Sequence, residues 1–262
     1  MKKALILGCG WLAEDLAYTL KNKNWEIWAT TTTPEKYHRL KNDGISIYLH
    51  DFDQNENLAI QEFPFFDLLI ISVPASQKNS LEQIDYRFQH IAQFIQQLSY
   101  TKAIFFSSIG IYPDLDREFR EDPDPTYELS PKLYLAENKL SHLPNLSIFR
   151  LGGLFGKKRI FAKYFQQRIC TTGDQPANFI HIEDVIGLIE SFIPNTSKPD
   201  IYNLVAPEHP SKRAVIEASA LKYQLDLPTS FEPQNSFQKI VLGDKIIKLL
   251  NYTFKYPSPL DF

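Results

Sequence analysis

The sequence predicts an α/β protein, a doubly wound parallel sheet followed by a smaller C-terminal lobe. Three observations carry that prediction. Short apolar runs alternate with helically spaced segments through residues 1–151. The first run ends in a glycine loop that leads straight into a helical pattern. From Gly152 the alternation loosens and prolines multiply, at 194, 199, 207, 210, 228 and 233. Strands alternating with helices imply βαβ units, hence parallel pairing with right-handed crossovers.

Ala4-Leu5-Ile6-Leu7 reads as a strand buried on both faces, because it is apolar at every position. Trp11 to Lys21 follows with Leu12, Leu16 and Leu20 at helical spacing. Glu26 to Thr30 is a second strand. Pro34 to Asn42 suits a helix, with proline in its first turn, where a missing N–H costs nothing. Ile45 to Leu49 is a third strand, closed by His50-Asp51, and Asp67 to Val73 a fourth, ended by Pro74. Leu81 to Leu98 reads as a long helix that turns Ile84, Phe88, Ile91, Phe94 and Ile95 to the sheet. Lys102 to Ser108 and Leu146 to Leu151 are the fifth and sixth strands.

The bulk properties exclude several classes. A chain of 262 residues holds one sizeable core, or a core and a small lobe. A formal charge of −3 gives no electrostatic case for nucleic acid or an acidic membrane as partner. Two cysteines, Cys9 and Cys170, make no disulfide framework and suit a reducing compartment. The run from Ala4 to Gly8 is too short for a signal-peptide core, and no apolar run approaches the roughly 18 residues of a membrane span. A cytoplasmic monomer or homodimer is expected. The histidines at 38, 50, 90, 142, 181 and 209 share no helix face or turn, so no metal site is expected.

The loop Gly8-Cys9-Gly10-Trp11-Leu12-Ala13 has the pattern G-x-G-x-x-A between a strand and a helix. This is the dinucleotide-binding fingerprint of a Rossmann fold. Gly8 permits the tight turn, Gly10 lets backbone approach a pyrophosphate, and Ala13 packs helix on strand. Trp11 and Leu12 begin the helix, whose N-terminal amides and positive dipole end favour phosphate. Residues 1–151 are therefore expected to form the dinucleotide-binding domain. Residues 152–262 are expected partly to complete the sheet and partly to form a substrate lobe. Glu14 and Asp15 suit the dipole but would repel a pyrophosphate, so both are expected to point to solvent. Cys9 is either a low-pKa thiol at this dipole or a small packed residue.

In NAD sites an acid about 20 residues beyond the loop accepts from the ribose hydroxyls. Here the second strand runs into Thr30-Thr31-Thr32-Thr33, with Lys36 and Arg39 just beyond and no acid. Hydroxyls and cations suit an extra phosphate, so the expected cofactor is NADP, with NAD as the alternative. β-Propensity and a helix cap before Pro34 account equally well for any single threonine. Val73 and Pro74, at the end of the fourth strand, and Ser107, in the fifth, are also assigned to the cofactor, because strand ends line the crevice of such sheets.

Phe106-Ser107-Ser108-Ile109-Gly110-Ile111-Tyr112 resembles the S-S-x-x-V-Y-G segment of extended short-chain dehydrogenase/reductases, the sugar-nucleotide epimerase/dehydratase group. Asp51-Phe52 resembles that family's adenine-contacting pair. Arg150-Leu151-Gly152-Gly153-Leu154-Phe155-Gly156 resembles R-L-x-G-x-Y-G, and Phe179 to Val185 resembles R-I-H-V-x-D-V. Tyr202-Asn203-Leu204-Val205 resembles the late Y-N-V strand. An atypical bacterial branch also shares the G-C-G-W-L loop and a closing Tyr-Pro, here Tyr256-Pro257. The resemblance covers nearly the whole chain.

The resemblance implies hydride chemistry with a Ser, a Tyr and a Lys. The Ser carries over onto Ser108. The Tyr and Lys, normally one helical turn apart, do not: counting back from Glu137 puts Leu133 at the Lys position and Leu129 at the Tyr position. Tyr127 and Lys132 stand nearby as substitutes, but on a helix five positions diverge by about 500° of turn. In the family an arginine near Gly156-Lys157-Lys158-Arg159 faces a substrate phosphate; a solvated basic turn is the plainer reading. His181 is either a site acid or base, or a residue that caps a helix beside Asp184. Glu121-Asp122-Pro123-Asp124-Pro125 is a stiff acidic loop, either shaping the pocket mouth or serving as a solvated connector. These readings predict an NADP-dependent oxidoreductase or epimerase-like enzyme for a small hydroxylated or carbonyl substrate, a sugar or an anion among them. A dinucleotide sensor without turnover is the first alternative, and a module retaining only the fold is the second.

Overall fold

The computed structural model describes residues 1–54, 63–75, 78–122 and 129–261. In chain order the elements are β1 (Lys3–Leu7), α1 (Trp11–Asn22), β2 (Glu26–Thr31), α2 (Pro34–Asn42), β3 (Ser46–Leu49), β4 (Phe66–Ile71), α3 (Leu81–Ile95), β5 (Tyr100–Ser108), β6 (Glu118–Phe119), α4 (Pro131–Leu140), β7 (Leu146–Leu151), β8 (Gly153–Phe155), β9 (Ile169–Cys170), β10 (Phe179–His181), α5 (Ile182–Phe192), β11 (Ile201–Leu204), α6 (Lys212–Tyr223), β12 (Ser230–Phe231), β13 (Ile240–Val241) and α7 (Asp244–Leu250).

Seven strands form one sheet in the order β11-β7-β5-β4-β1-β2-β3. The pairs β3–β2, β2–β1, β1–β4 and β4–β5 are parallel, with Leu5 set between Trp28 and Leu69. This is the doubly wound α/β sheet that the sequence predicts. The winding reverses between β1 and β4, and at such a reversal the strand ends open a crevice. Two predicted boundaries move for identifiable reasons. The helix α3 stops at Ile95, not Leu98, because the Gln97 and Leu98 amides turn back to the carbonyls three residues earlier. The strand β4 stops at Ile71, since after the Ser72 amide bonds Leu7 the chain runs to Pro74, which has no N–H.

The chain divides into two compact units. One comprises Met1–Ser107, Leu129–Phe149 and Ser197–Ile201; the other comprises the described residues of 108–128, 150–196 and 202–262. Each unit takes several segments, whereas the sequence reading draws a single boundary between 151 and 152.

In the first unit, α3 starts with a full capping box. Ser80 Oγ accepts from the Gln83 amide at 3.1 Å, and Gln83 Oε1 accepts from the Ser80 amide at 2.9 Å. Its Ile84, Phe88, Ile91 and Ile95 then enter one core with Leu5, Leu7, Leu69 and Ile71. Full burial of each such side chain is worth about 1.5–3 kcal/mol, which is why helical spacing predicts this face. Among the described residues no helix is long and apolar enough to cross a membrane.

In the second unit, β8 and β10 pair in parallel, and α5 follows β10 directly. Asp184, in the first turn of α5, is wholly buried. Its carboxylate accepts from Tyr252 Oη at 3.1 Å and from the Lys255 and Tyr256 amides at 2.8 and 3.0 Å. One side chain therefore fastens the closing Tyr256-Pro257 segment. Replacing Asp184 by alanine strands three donors, so Asp184→Ala is expected to lower unfolding stability by about 3 kcal/mol, read as a fall in the urea midpoint.

Candidate functional site

The carboxyl ends of β1 to β4 meet in a cleft of about 360 Å³ in the first unit. Gly8, Gly10, Thr30, Thr31, Thr32, Lys36, Asp51, Phe52, Val73 and Pro74 line it. Cys9, Thr33, His50, Asp53, Ser72 and Arg87 join them, none of which the sequence reading selects as a cofactor residue. Trp11 and Leu12 stand in the first turn of α1, outside the lining, and the Leu12 side chain is buried.

Gly8 has φ +81°, and a Cβ there would lie 3.0 Å from Val73 Cγ2 and 3.1 Å from Val73 N. Only glycine combines that backbone with that closeness. At Gly10 a Cβ would meet nothing nearer than Gly8 O at 4.0 Å, so the space over this residue is open. Gly10 also caps α1, and it brings no side chain to satisfy the first-turn amides.

The threonine run divides by role. Thr30 Oγ1 accepts from the Gly8 amide at 2.9 Å, and its carbonyl accepts from the Cys9 amide at 2.7 Å. Thr31 Oγ1 accepts from the Thr33 amide at 3.2 Å. Both side chains are buried and hold the loop and the turn, while Thr32 and Thr33 are exposed. Cys9 is buried as well, and burial pushes its thiol up to about 12. It is a neutral packed residue, not a low-pKa thiol.

Glu14 corrects an expectation. It does not point to solvent but lies 3.2 Å from Lys36 Nζ and 2.8 Å from Arg39 Nη1. Burial pushes its carboxyl up, but hydrogen bonds from Arg39 and Lys36 outweigh that and hold it below the usual range. Lys36 also donates to Cys9 O at 2.8 Å, tying α2 to the glycine loop. On the other lip, Arg87 of α3 grips Asp53 with Nε and Nη2 at 2.7 and 2.5 Å, and donates from Nη1 to Pro74 O at 2.7 Å. An arginine at the centre of an amphipathic helix, only 8% exposed, was the available signal for this residue.

Ser107 does not line the cleft: its hydroxyl donates to buried Glu137 at 2.6 Å, so that oxygen belongs to the core. Ser108 caps the short 3-10 turn Ile109–Ile111, accepting from the Gly110 amide at 3.1 Å. Its O–H donates to nothing among the described residues. Lys132 is half-buried in the first turn of α4, Leu133 is buried there, and Leu129 precedes the helix. Tyr127, like Pro123 to Pro125 of the acidic loop, lies outside the described residues.

Other motif residues of the second unit hold one another. Arg150 Nη1 donates to Tyr112 Oη at 2.8 Å, Tyr112 Oη donates to Asn203 Oδ1 at 2.8 Å, and the Asn203 amide donates to Glu121 Oε1 at 2.8 Å. All four are buried, and burial pushes the Tyr112 phenol up to about 12 despite Arg150. His181 caps α5, its Nδ1 accepting from the Glu183 amide at 3.3 Å. Its ring packs at a tilt against Tyr256, with ring centroids 3.9 Å apart, and Gly156 leaves it room, since a Cβ there would lie 2.3 Å from Nε2. Lys157 and Lys158 are exposed on a turn closed by the Gly156–Arg159 bridge.

No protein-family model matches the chain. Its fold matches that of solved epimerases. UDP-glucuronic acid 4-epimerase from Bacillus cereus, solved with UDP-glucuronic acid and NAD, is 17% identical with a TM-score of 0.77, over 99% of this chain and 96% of that one. Human epimerase family protein SDR39U1, solved with NADPH, is 15% identical with a TM-score of 0.74, over 98% and 96%. In sequence, the chain is 28% identical to protein YeeZ of Escherichia coli strain K12, over 99% of this chain and 98% of the relative.

Burial lowers the His181 pKa, with Glu183 and Asp184 opposing it, so the folded ring stays neutral below its ordinary value near 6.5. The unfolded chain then binds the extra proton first. The stability contributed by the neutral ring is present above about pH 6.5 and is lost as pH falls through the lowered value. Urea midpoints are expected to drop as pH falls below about 6.5. The drop should be shallower in His181→Asn, which keeps a capping side chain.

Proposed function

We propose that the first-unit cleft binds a nicotinamide dinucleotide, NADP in preference to NAD. On this reading the chain is an oxidoreductase or epimerase-like enzyme for a small hydroxylated or carbonyl substrate. The observation that carries the reading is the open space over Gly10, at the glycine turn of the β1–β4 reversal. The neighbours solved with NAD or NADPH support it. Gly8, Gly10 and the first turn at Trp11 and Leu12 would take the pyrophosphate, and Asp51 and Phe52 the adenosine side. Thr32, Lys36 and Arg39 would take the 2′-phosphate, and Val73 and Pro74 the nicotinamide side. When bound, the nicotinamide supplies hydride transfer, while the protein supplies orientation and charge.

Ser108 would orient the substrate oxygen, because its O–H donates to none of the described residues. Tyr127 and Lys132 remain the candidates for proton exchange. Tyr112 does not suit that role: its hydroxyl is enclosed by Arg150 and Asn203. A dinucleotide sensor without turnover is the second reading, favoured by Leu129 and buried Leu133 at the family's Tyr and Lys positions. Two buried cysteines suit a cytoplasmic setting.

Two measurements test these assignments. In equilibrium titration NADP should bind more tightly than NAD. Arg39→Ala should weaken NADP about tenfold, about 1.4 kcal/mol, with NAD little changed. Glu14→Gln should tighten NADP, because it removes the carboxylate that occupies both cations. Tighter binding of NAD overturns the choice of cofactor. Separately, NADPH oxidation across a panel of carbonyl compounds should be detectable and should fall about 100-fold in Ser108→Ala. No oxidation with any compound supports the sensor.

A further inference from the structure

The second unit contains a cavity of about 520 Å³ that no assignment above uses. Ile109 and Gly110, directly after Ser108, form part of its wall. Two lysines line it, and their situations differ. Lys239 is neutralised: its Nζ lies 2.7 Å from Asp114 Oδ1 and donates to Tyr112 O at 2.9 Å. Lys212 has no carboxylate partner among the described residues. Its Nζ donates only to the neutral Gln175 Oε1, at 2.5 Å.

Gln175 is itself fixed. Its Nε2 donates to Asn235 O at 2.6 Å, and its carbonyl accepts from the Lys212 amide at 2.8 Å. The lysine is therefore aimed from both ends, and little rotamer freedom is left to lose on binding. The α6 N-terminus does not compete for a ligand. The Lys212 amide goes to Gln175, the Arg213 amide to Gly173, and the Ala214 amide to the Ser211 hydroxyl. What the cavity offers is the ammonium. A half-buried cation whose one hydrogen-bond partner is an amide is costly, Asp114 of the same cavity offsets that cost only in part because it is ion-paired to Lys239, and an anion would offset the rest. Burial lowers the Lys212 pKa, with Asp114 opposing it and Lys239 adding to it.

An adjoining groove of about 330 Å³ shares Gly153, Thr172, Phe179 and Lys212 with the cavity and adds Phe161, Tyr164 and Phe165. Lys212 thus joins the cavity to an aromatic wall, and Arg159 adds a second cation on the groove side. We propose that Lys212 anchors an organic anion, a carboxylate or phosphate monoester carried on an apolar ring or chain that lies along Phe161 and Phe179. Calling that anion the substrate rests on the enzyme reading above; the binding site itself does not.

The test is calorimetric titration of the full chain with phenyl phosphate, 3-phenylpropionate, inorganic phosphate and uncharged 3-phenylpropanol. At least one aromatic anion should bind at least tenfold more tightly than the alcohol and than inorganic phosphate. The two headgroups separate a phosphate site from a carboxylate site. Lys212→Gln should lose at least tenfold in anion affinity, and Lys212→Arg should retain most of it. Equal binding of anion and alcohol, or an unchanged Lys212→Gln, overturns the proposal. Should Lys212→Gln fail to fold, the native chain decides by NMR. The anion should shift the amide resonances of Gly153, Thr172 and Gln175, and no shift overturns the site. NADP titrated in parallel keeps the readings apart, because its binding should survive Lys212→Gln, and its failure in the native chain would leave the anion site standing.

Discussion

Everything in the first unit's cleft depends on one turn of backbone. At Gly8 the chain leaves β1 with positive φ and lies so near Val73 that a Cβ would force it to give way. That turn is then lashed on three sides. Thr30 takes the Gly8 and Cys9 amides, Lys36 takes the Cys9 carbonyl, and the Ser72 amide bonds the carbonyl of Leu7. The glycine loop is thereby referred to β2, α2 and β4 at once. Its position is a property of the sheet, and binding energy need not be used to arrange it.

The residues that resemble a known enzyme group have separated into two kinds. Arg150, Tyr112 and Asn203 lie in three different motifs, and they join with Glu121 in one buried chain of hydrogen bonds. His181 and Asp184, from a fourth motif, cap a helix and fasten the closing segment. Buried polar groups of this sort must be fully partnered, which is reason enough for those residue types at those places. Structural reasons alone therefore suffice for these residues.

Features that rest on neighbours along the chain were legible in the sequence. The apolar runs predict β1, β2, β4 and β7 to within two residues, and the glycine loop predicts the strand, the turn and the helix together. Contacts distant in sequence were not. Glu14 meets Lys36 and Arg39 only because α1 and α2 flank the same strand. Asp53 meets Arg87 across 34 positions. The first pair reverses a reading based on the helix dipole alone, since partners outside the helix decide where an acidic side chain points. The partner of Ser107 is equally distant in sequence: Glu137 of α4 claims its hydroxyl across 30 positions.

The Arg87 clamp has a mechanical consequence. One guanidinium on α3 holds both Asp53, beyond β3, and the carbonyl of Pro74, beyond β4. The two segments cannot spread without breaking a charged bond that is only 10% exposed on the arginine side. The spacing of the two segments is thus written into α3, a helix that belongs to neither of them.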